Sequence, residues 1–194
     1  MMRELGIQSV IRKKRKYFGV RGSIVYENLL ARNFVSSQPK QKLATDITYI
    51  NTTDGFIYLS VVQDLFNNEI ITYKISAKND MDLVLSTIQD LPLMPGAILH
   101  SDQGFQYTHK KYKEELEVRL LKGSHSRKGN CLDNACVESF FSQLKTECFW
   151  EKRQVSKDEA SSLIQNHITF YNEKRLQKKL GQLSPVEYRK KLAA

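Results

Sequence analysis

Three acidic residues occupy positions where a carboxylate group is unexpected unless it has a partner. Asp46 lies in the middle of a β-branched and aromatic segment that predicts a strand. Asp102 follows a short apolar segment and precedes Gly104, and Glu138 lies in the second turn of a predicted helix. Carboxylates that converge repel one another, so a divalent cation is their natural compensation. Hard oxygen ligands of this kind favour Mg²⁺ or Mn²⁺.

The elements that must position these acids can be predicted from turn signals and periodicity. The order is βββ-α-β-α-β-α, with elements at 42–51, 56–62, 69–76, 80–91, 97–101, 108–116, 118–122 and the helix that carries Glu138. Two short connections in succession predict an antiparallel meander for the first three strands. If the first and fourth strands are neighbours, Asp46 and Asp102 project toward one place. A final helix that crosses the sheet could then add Glu138.

Each acid also has an ordinary structural explanation. Asp102 could cap the turn that follows it, Asp46 could pair with a lysine, and Glu138 could bridge to Lys145. For a single acid, such an explanation is more common than catalysis. Burying Asp46 without compensation would cost several kcal/mol, however, and all three acids fall where this topology would bring them together. Asp64, which ends the second strand, is expected to be structural.

The helix of Glu138 follows a basic loop in the segment 126–147, SRKGNCLDNACVESFFSQLKTE. Asp133 is the expected N-cap of this helix. At about 100° per residue, Glu138 and Lys145 share a polar stripe beside the apolar face, which predicts that Glu138 lies at the edge of the buried surface. Five residues of this segment could contact phosphate groups: Lys145, Arg127, Lys128, Asn130 and Asn134. Each of them could equally be a solvated surface residue.

The charge of the chain favours a polyanionic partner. The formal net charge is +9, and the basic residues cluster at 12–16, 122–128 and 174–179, as expected for a surface that binds phosphates. No apolar run approaches the roughly 20 residues that span a bilayer, and the first residues lack the apolar core of a signal peptide. The three cysteines match neither a disulfide framework nor a zinc-binding spacing.

The two ends of the chain differ in their patterns. Residues 1–40 are basic and weakly periodic, with a short helix predicted at 26–34, and they could be a solvated linker or a DNA contact. Toward the C-terminus, Ser156 and Glu159 form a capping-box signature before a helical pattern. Ser184, followed by Pro185, begins a final short helix.

Three segments resemble the catalytic core of bacterial insertion-sequence transposases of the IS-three type, encoded by the OrfB reading frame and related to retroviral integrases. They are TDITYI (45–50), LHSDQGFQYT (99–108) and SRKGNCLDNACVESFFSQLKTE (126–147), and 35 residues separate Asp102 from Glu138, which matches the family's Asp-Asp-35-Glu pattern. The resemblance implies an α/β, ribonuclease-H-like fold with a five-stranded mixed sheet flanked by helices. It also implies a basic linker or remnant of a DNA-binding region at 1–40, a catalytic core at 41–151 and a C-terminal helical extension at 152–194.

The resemblance further implies metal-dependent cleavage of DNA strands and their transfer to a target during transposition. Asp46, Asp102 and Glu138 would hold two Mg²⁺ or Mn²⁺ ions, with Asp46 bridging them. The implied partners are the DNA of the insertion-sequence ends and of the target, further copies of the chain, and a helix-turn-helix protein from an upstream reading frame. The implied location is the bacterial cytoplasm, in association with the nucleoid.

Two other functions remain open at this point. A ribonuclease-H-like nuclease would use the same three acids to hydrolyse DNA without joining strands. A DNA-binding relic or regulator would perform no chemistry, and the presence of all three acids argues against it.

Overall fold

The computed structural model of the chain describes Gly6 and residues 23–127, 134–150 and 155–193. The strands are β1 (Lys42–Thr52), β2 (Gly55–Asp64), β3 (Ile70–Ser76), β4 (Ile98–Ser101) and β5 (Lys122–His125), and the helices are α1 (Met81–Gln89), α2 (Lys110–Val118), α3 (Ala135–Phe149), α4 (Lys157–Glu173) and α5 (Pro185–Ala193). A short 3₁₀ turn, Lys178–Leu180, precedes α5. The expected order of strands and helices is confirmed.

The strands form a mixed sheet in the order β3-β2-β1-β4-β5. The first three strands are an antiparallel meander, and Gly55 turns the chain from β1 into β2 with a φ of +104°, a conformation that favours glycine. β4 then pairs with β1 in parallel, and β5 pairs with β4 in parallel. The expectation that the first and fourth strands are neighbours is therefore confirmed.

Helices cover both faces of the sheet because its central strands are apolar on both sides. Leu59 and Val61 of β2 belong to a core shared with Phe140 of α3 and Ile164 of α4. Val62, the next residue along β2, belongs to a second core shared with α1 and α2. This continuous apolar run is typical of a strand that is buried on both faces.

Side-chain hydrogen bonds tie both C-terminal helices to the edge of the sheet. The Asn172 side chain at the end of α4 accepts from Ile70 N and donates to Ile70 O, both at 2.9 Å, and so pairs with the backbone of the edge strand β3. Arg189 of α5 makes two hydrogen bonds to the Glu69 carboxylate, at 2.7 and 3.0 Å. The turn between β2 and β3 is therefore fixed by the end of the chain.

Helix starts in this region follow the sequence signals. Ser156 Oγ accepts from Glu159 N at 3.2 Å. At α5 the capping box is reciprocal, because Ser184 N donates to Glu187 Oε2 at 2.9 Å and Glu187 N donates to Ser184 Oγ at 3.3 Å. No helix among the described residues is both long and apolar enough to cross a membrane.

The short helix expected at 26–34 is wrong, since the segment has no helical turn. Its backbone donors bond instead to the end of the sheet. Tyr26 N donates to His125 Nδ1 at 3.1 Å, and Leu29 N donates to Ser124 Oγ at 2.9 Å. The last strand also begins later than the expected 118–122, because residues 110–118 continue α2.

Candidate active site

Asp46 on β1 lies side by side with Asp102, the residue that follows the parallel neighbour strand β4. The last residue pair between β1 and β4 is Ala44 with His100. Asp46 follows two residues later within β1, and Asp102 follows two residues later just beyond the end of β4, so the register of the sheet brings them level. Both line one small cleft of about 160 Å³. The sheet therefore brings together the two aspartates that the sequence singled out.

The conformation of Asp102 is set by the turn that follows β4. Its Oδ1 accepts a hydrogen bond from Gly104 N at 2.8 Å, while the side chain as a whole stays exposed. A Cβ atom at position 104 would lie 2.9 Å from the same Oδ1. A side chain at this position would therefore require the carboxylate to rotate. The capping role expected as an alternative for Asp102 is therefore present, and it leaves the carboxylate open to a ligand.

Asp46 is half-buried, and its carboxyl group is hard to ionise. Burial and the nearby carboxylate of Asp102 raise its pKa to about 7 from the usual 3.8, and Glu138 contributes in the same direction. The hydrogen bond from Ile47 N to Oδ1, at 2.8 Å, and the Lys145 ammonium oppose this rise in pKa without cancelling it. The site thus carries more negative charge than its protein surroundings balance.

Glu138 reaches the neighbourhood of the aspartates from α3. The buried residues of this helix are Val137, Phe140, Phe141 and Leu144. The centre of that face lies about 110° from Glu138 at 100° per residue, which explains why Glu138 is exposed. The expectation that Glu138 sits at the edge of the buried surface is therefore wrong. α3 begins at Ala135 with Asn134 in the N-cap position, whereas the expected cap, Asp133, lies outside the described residues.

The three carboxylates do not meet at a single point. Glu138 does not line the cleft of the two aspartates. Across the described parts of the chain, no group of three or more His, Cys, Asp or Glu side chains could hold a metal ion as it stands. We call Asp46, Asp102 and Glu138 the acidic cluster. Asp46 and Asp102 are its two aligned members, and Glu138 is close enough to affect the pKa of Asp46.

Lys145 lies between the acidic cluster and an exposed aromatic ring. Its Nζ lies 5.1 Å from the centroid of the Tyr49 ring, a cation–π contact. Burial lowers the pKa of Lys145, and the Asp46 carboxylate opposes that change. Tyr49 itself is 58 % exposed and meets Phe56 edge to face, with ring centroids 5.4 Å apart. The ammonium group is thus held at the border of the cleft.

The other candidates for DNA contacts have different surroundings. Arg127 is exposed at the end of the segment that follows β5. Lys128 and Asn130 lie outside the described residues. Asn134 is only 4 % exposed, and its Nδ2 lies 3.5 Å from Thr45 O, which favours a role in packing α3 against β1. Asp64 is 1 % exposed and accepts from two backbone N–H groups, as expected for a structural residue.

Two polar residues of the cleft escaped the sequence reasoning. Asn79, after β3, and Gln106, after β4, both line the cleft with the aspartates, and Gln106 Nε2 donates to Asn79 Oδ1. Gln106 belongs to the segment LHSDQGFQYT (99–108). Its position four residues after Asp102 could have indicated that it lies near that carboxylate. Asn79 carries no local signal, because only the fold brings it to this place.

The fold and the paired aspartates define the class of protein, which is an integrase-type catalytic core. Two family models, both described as integrase core domain, match residues 36–131 and 138–192. An uncharacterized transposase-like protein of Haemophilus influenzae is 42 % identical over 97 % of this chain and 89 % of its own length. The putative transposase InsK for insertion sequence IS150 of Escherichia coli is 40 % identical over 97 % of this chain and 69 % of its own length. This chain belongs to the integrase-core family of insertion-sequence transposases.

More distant relatives support the same architecture. The transposase InsF for insertion sequence IS3A of Escherichia coli is 39 % identical over 88 % of this chain, which spans 61 % of the InsF length. Among solved structures, a chain of the simian T-cell lymphotropic virus intasome superposes with a TM-score of 0.68 at 14 % identity, covering 88 % of this chain and 60 % of that one. The catalytic core domain of HTLV-2 integrase, solved in complex with magnesium, gives a TM-score of 0.63 at 12 % identity, covering 79 % and 99 %. At these identities the likeness shows the ribonuclease-H-like fold.

Proposed function

We propose that this chain cleaves DNA strands and transfers them to a target during transposition, at the cluster of Asp46, Asp102 and Glu138. The observation that carries the proposal is the alignment of Asp46 with Asp102, together with the rise in the pKa of Asp46 to about 7 that burial and the neighbouring carboxylates cause. Membership of the transposase family supplies the class of reaction. The proposed substrates are the ends of an insertion sequence and the target DNA.

The three acids fit a divalent cation because they form a negatively charged cluster of hard oxygen ligands. Asp46, Asp102 and Glu138 would hold Mg²⁺ or Mn²⁺, and we propose that two ions bind. When bound, such ions activate the attacking oxygen and stabilise the leaving oxygen of a phosphodiester. Because Glu138 is outside the cleft of the two aspartates, its side chain or the start of α3 must move toward them to complete the site.

The remaining work falls to groups that orient the carboxylates and the DNA. The N–H of Gly104 holds the Asp102 carboxylate, and the N–H of Ile47 holds that of Asp46. We propose that Lys145 of α3 binds a phosphate group of a strand in the cleft. Arg127, which precedes α3 in the sequence, is proposed to do the same. We keep Lys128 and Asn130 as proposed DNA contacts, and because Asn134 is buried we propose that it packs α3 against β1 instead. Contacts of this kind position DNA without reading its sequence.

The assembly proposed for the reaction contains more than one copy of the chain. Among its structural neighbours, HTLV-2 integrase has been solved in trimeric and dimeric forms, and the simian virus protein is part of an intasome. We propose a homo-multimer on paired DNA ends, with a helix-turn-helix partner from an upstream reading frame. Its place would be the bacterial cytoplasm, at the nucleoid. The division into a linker at 1–40, a core at 41–151 and an extension at 152–194 is kept as part of this proposal.

The deciding experiment follows labelled DNA with precut insertion-sequence ends in the presence of Mg²⁺ or Mn²⁺. We expect strand joining by the unchanged chain and its loss in Asp46→Asn, Asp102→Asn and Glu138→Gln. The loss should exceed the 10–100-fold that outer-shell partners of a metal typically cost. Glu114→Gln on α2 is the matched control, because Glu114 is exposed and pairs with Lys110 at 3.3 Å, away from the cleft.

A second measurement needs no DNA. It detects the binding of Mn²⁺ alone by the shift that the ion causes in the melting temperature of the chain. Cleavage without joining would contradict strand transfer and favour a nuclease of the same fold. If Glu138→Gln kept every DNA activity, the catalytic role of the cluster would be refuted.

A further inference from the structure

A second pocket lies away from the acidic cluster, between α3, the end of α4 and the 3₁₀ turn. Its volume is about 480 Å³, and none of the residues around the acidic cleft contributes to it. Cys136 and Gln143 of α3 line it from a side of the helix that is turned about 140–160° from Glu138. The size falls within the usual range for small-molecule sites.

The floor of this pocket contains a buried amide with an unused acceptor. Gln63 of β2 is 1 % exposed, and its Nε2 donates to Asn68 O at 3.1 Å and to Tyr171 Oη at 3.2 Å. The bond to Asn68 O fixes the orientation of the amide, because a flip would place the amide oxygen against that carbonyl oxygen. Gln63 Oε1 then has no hydrogen-bond partner among the described residues. A buried acceptor in this state destabilises a fold unless a ligand or an ordered water satisfies it.

Gln143 adds a second acceptor of the same kind. It comes from α3 on the wall of the pocket, and its Oε1 is also buried without a hydrogen-bond partner in the described part of the chain. These two amide oxygens call for N–H donors on a ligand, and Gln177 Nε2, a buried donor of the same pocket without a partner in the described part of the chain, calls for an acceptor beside them. The rings of Phe140 and Tyr171 line the pocket beside them, which suits a flat heterocycle.

The rim of the pocket is positively charged. Lys178 and Lys179 of the 3₁₀ turn are exposed and line it. Arg175 lines it too, but its guanidinium already binds the Glu147 carboxylate, at 2.6 and 2.7 Å. The two lysines are therefore the groups available for an anion. A ligand that fits both the floor and the rim has N–H donors on a flat ring and a negative charge near it.

We propose that this pocket binds a nucleotide, with the amino group of the base at Gln63 and Gln143 and the phosphate at Lys178 and Lys179. Adenine is a base that fits, because its exocyclic amino group offers two N–H donors and its ring nitrogens can accept from Gln177 Nε2. The nucleotide can be a free one or an unpaired one within a DNA strand, since both present the same base and phosphate. The site does not require the acidic cluster to be active, so it stands or falls independently of the proposed strand transfer.

Binding of two probes to the full chain distinguishes the two sources of nucleotide. The probes are dAMP and a short single-stranded oligodeoxyadenylate. Binding of each probe is measured by the shift in the melting temperature of the chain and by direct titration. Saturable binding of dAMP assigns the site to a free nucleotide. Binding of the oligodeoxyadenylate without dAMP assigns it to an unpaired nucleotide of a strand if Gln143→Leu weakens that binding. Binding that Gln143→Leu leaves unchanged belongs to the other DNA contacts and overturns the proposal. If neither probe binds, the proposal is overturned, and ordered water is then the partner of the two amide oxygens.

The role of the amino group is tested by replacing adenine with unsubstituted purine, which lacks it. We expect at least about tenfold weaker binding, because a site built to hydrogen-bond a group rejects the analogue without that group. Equal binding of the two bases would overturn the assignment to the amides. The titrations are made with the Asp46→Asn variant and without divalent metal. Metal binding and catalysis at the acidic cluster are then absent, so the result does not depend on the proposed strand transfer.

Gln143→Leu gives two readouts of opposite sign. It should weaken nucleotide binding at least about tenfold and, in the ligand-free chain, raise the melting temperature, because a buried acceptor without a donor is removed. A purely structural glutamine would lower the melting temperature when replaced and leave binding unchanged, and either of those results contradicts the proposal. Gln165→Leu is the control, since Gln165 is exposed on α4 and should change neither quantity. Lys178→Gln combined with Lys179→Gln should reduce the salt dependence of binding.

Discussion

Asp46 and Asp102 stand level with each other, each two residues beyond the Ala44–His100 pair that ends the parallel ladder between β1 and β4. β1 continues past this point to Thr52, whereas β4 stops at Ser101. Asp46 is therefore held within a strand, and Asp102 is held by the turn beyond one. The difference explains why Asp46 is half-buried with a raised pKa, while Asp102 is exposed.

The raised pKa predicts a pH-dependent stability for the chain without metal. Because the folded-state pKa of Asp46 is about 7 and its ordinary value is 3.8, the folded chain binds the proton more tightly than the unfolded chain. The stabilisation is fully present below about pH 4 and is lost as the pH rises through about 7. We expect Asp46→Asn to melt higher than the unchanged chain at pH 8, by about 2–4 °C for each kcal/mol of repulsion relieved, and to lose that advantage at pH 4.

Thermal melting in chelator at both pH values measures this difference. Glu114→Gln is the control, because an exposed ion-paired glutamate should give nearly the same difference at both values. A gain from Asp46→Asn that is as large at pH 4 as at pH 8 would show that ionisation of Asp46 is not its cause.

A second prediction concerns Gly104, whose missing side chain leaves room for the Asp102 carboxylate. In Gly104→Ala the new Cβ would lie 2.9 Å from Asp102 Oδ1, so the carboxylate must rotate or the turn must shift. We expect Mn²⁺ affinity and strand joining to fall about 10–100-fold, as for other residues that orient metal ligands. The melting temperature should change little, because the turn is at the surface. A large loss of stability with unchanged Mn²⁺ affinity would contradict this positioning role.

Much of this site could be predicted because its parts carry local signals. Asp46 interrupts an apolar strand pattern, and the three segments that resemble transposases fix the strands and helix around it. The exposure of Glu138 could not be obtained in the same way. The apolar residues of α3 extend over a broad arc, and only the packing of Phe140 and Leu144 against the sheet decides where that arc ends.

The segment before β1 shows a different limit of the sequence. Residues 26–34 have a composition that permits a helix. Two of their backbone donors bond instead to side chains of β5, which lie 95 and 99 positions further along the chain. Gly123 allows this approach, since a Cβ there would lie 2.6 Å from the Tyr26 ring. Such contacts override local propensity and leave no periodic pattern that could reveal them.

A third prediction concerns Asn172, which closes the edge of the sheet. Its amide satisfies both backbone groups of Ile70 on β3. Asn172→Leu leaves these groups without their partner, so we expect a loss of about 1–3 kcal/mol in the free energy of unfolding, measured by urea denaturation. The exposed edge should also increase aggregation. Asn166→Leu is the matched control, because Asn166 is exposed on the same helix. Equal losses for the two variants would refute a specific role for Asn172.

The last prediction separates the charge of Lys145 from its place in the fold. If its ammonium, held 5.1 Å from the Tyr49 ring centroid, contacts one DNA phosphate, Lys145→Gln should weaken DNA binding for every sequence tested. It should also reduce the slope of log affinity against log salt by about one. Lys145→Arg should keep the slope, and Lys113→Gln on α2, where Lys113 pairs with Glu117 at 3.6 Å, should leave both quantities unchanged. Binding titrations over a range of salt concentrations measure the slope. If Lys145→Gln lowers the affinity without changing the slope, Lys145 acts by packing against Tyr49 and not through a phosphate.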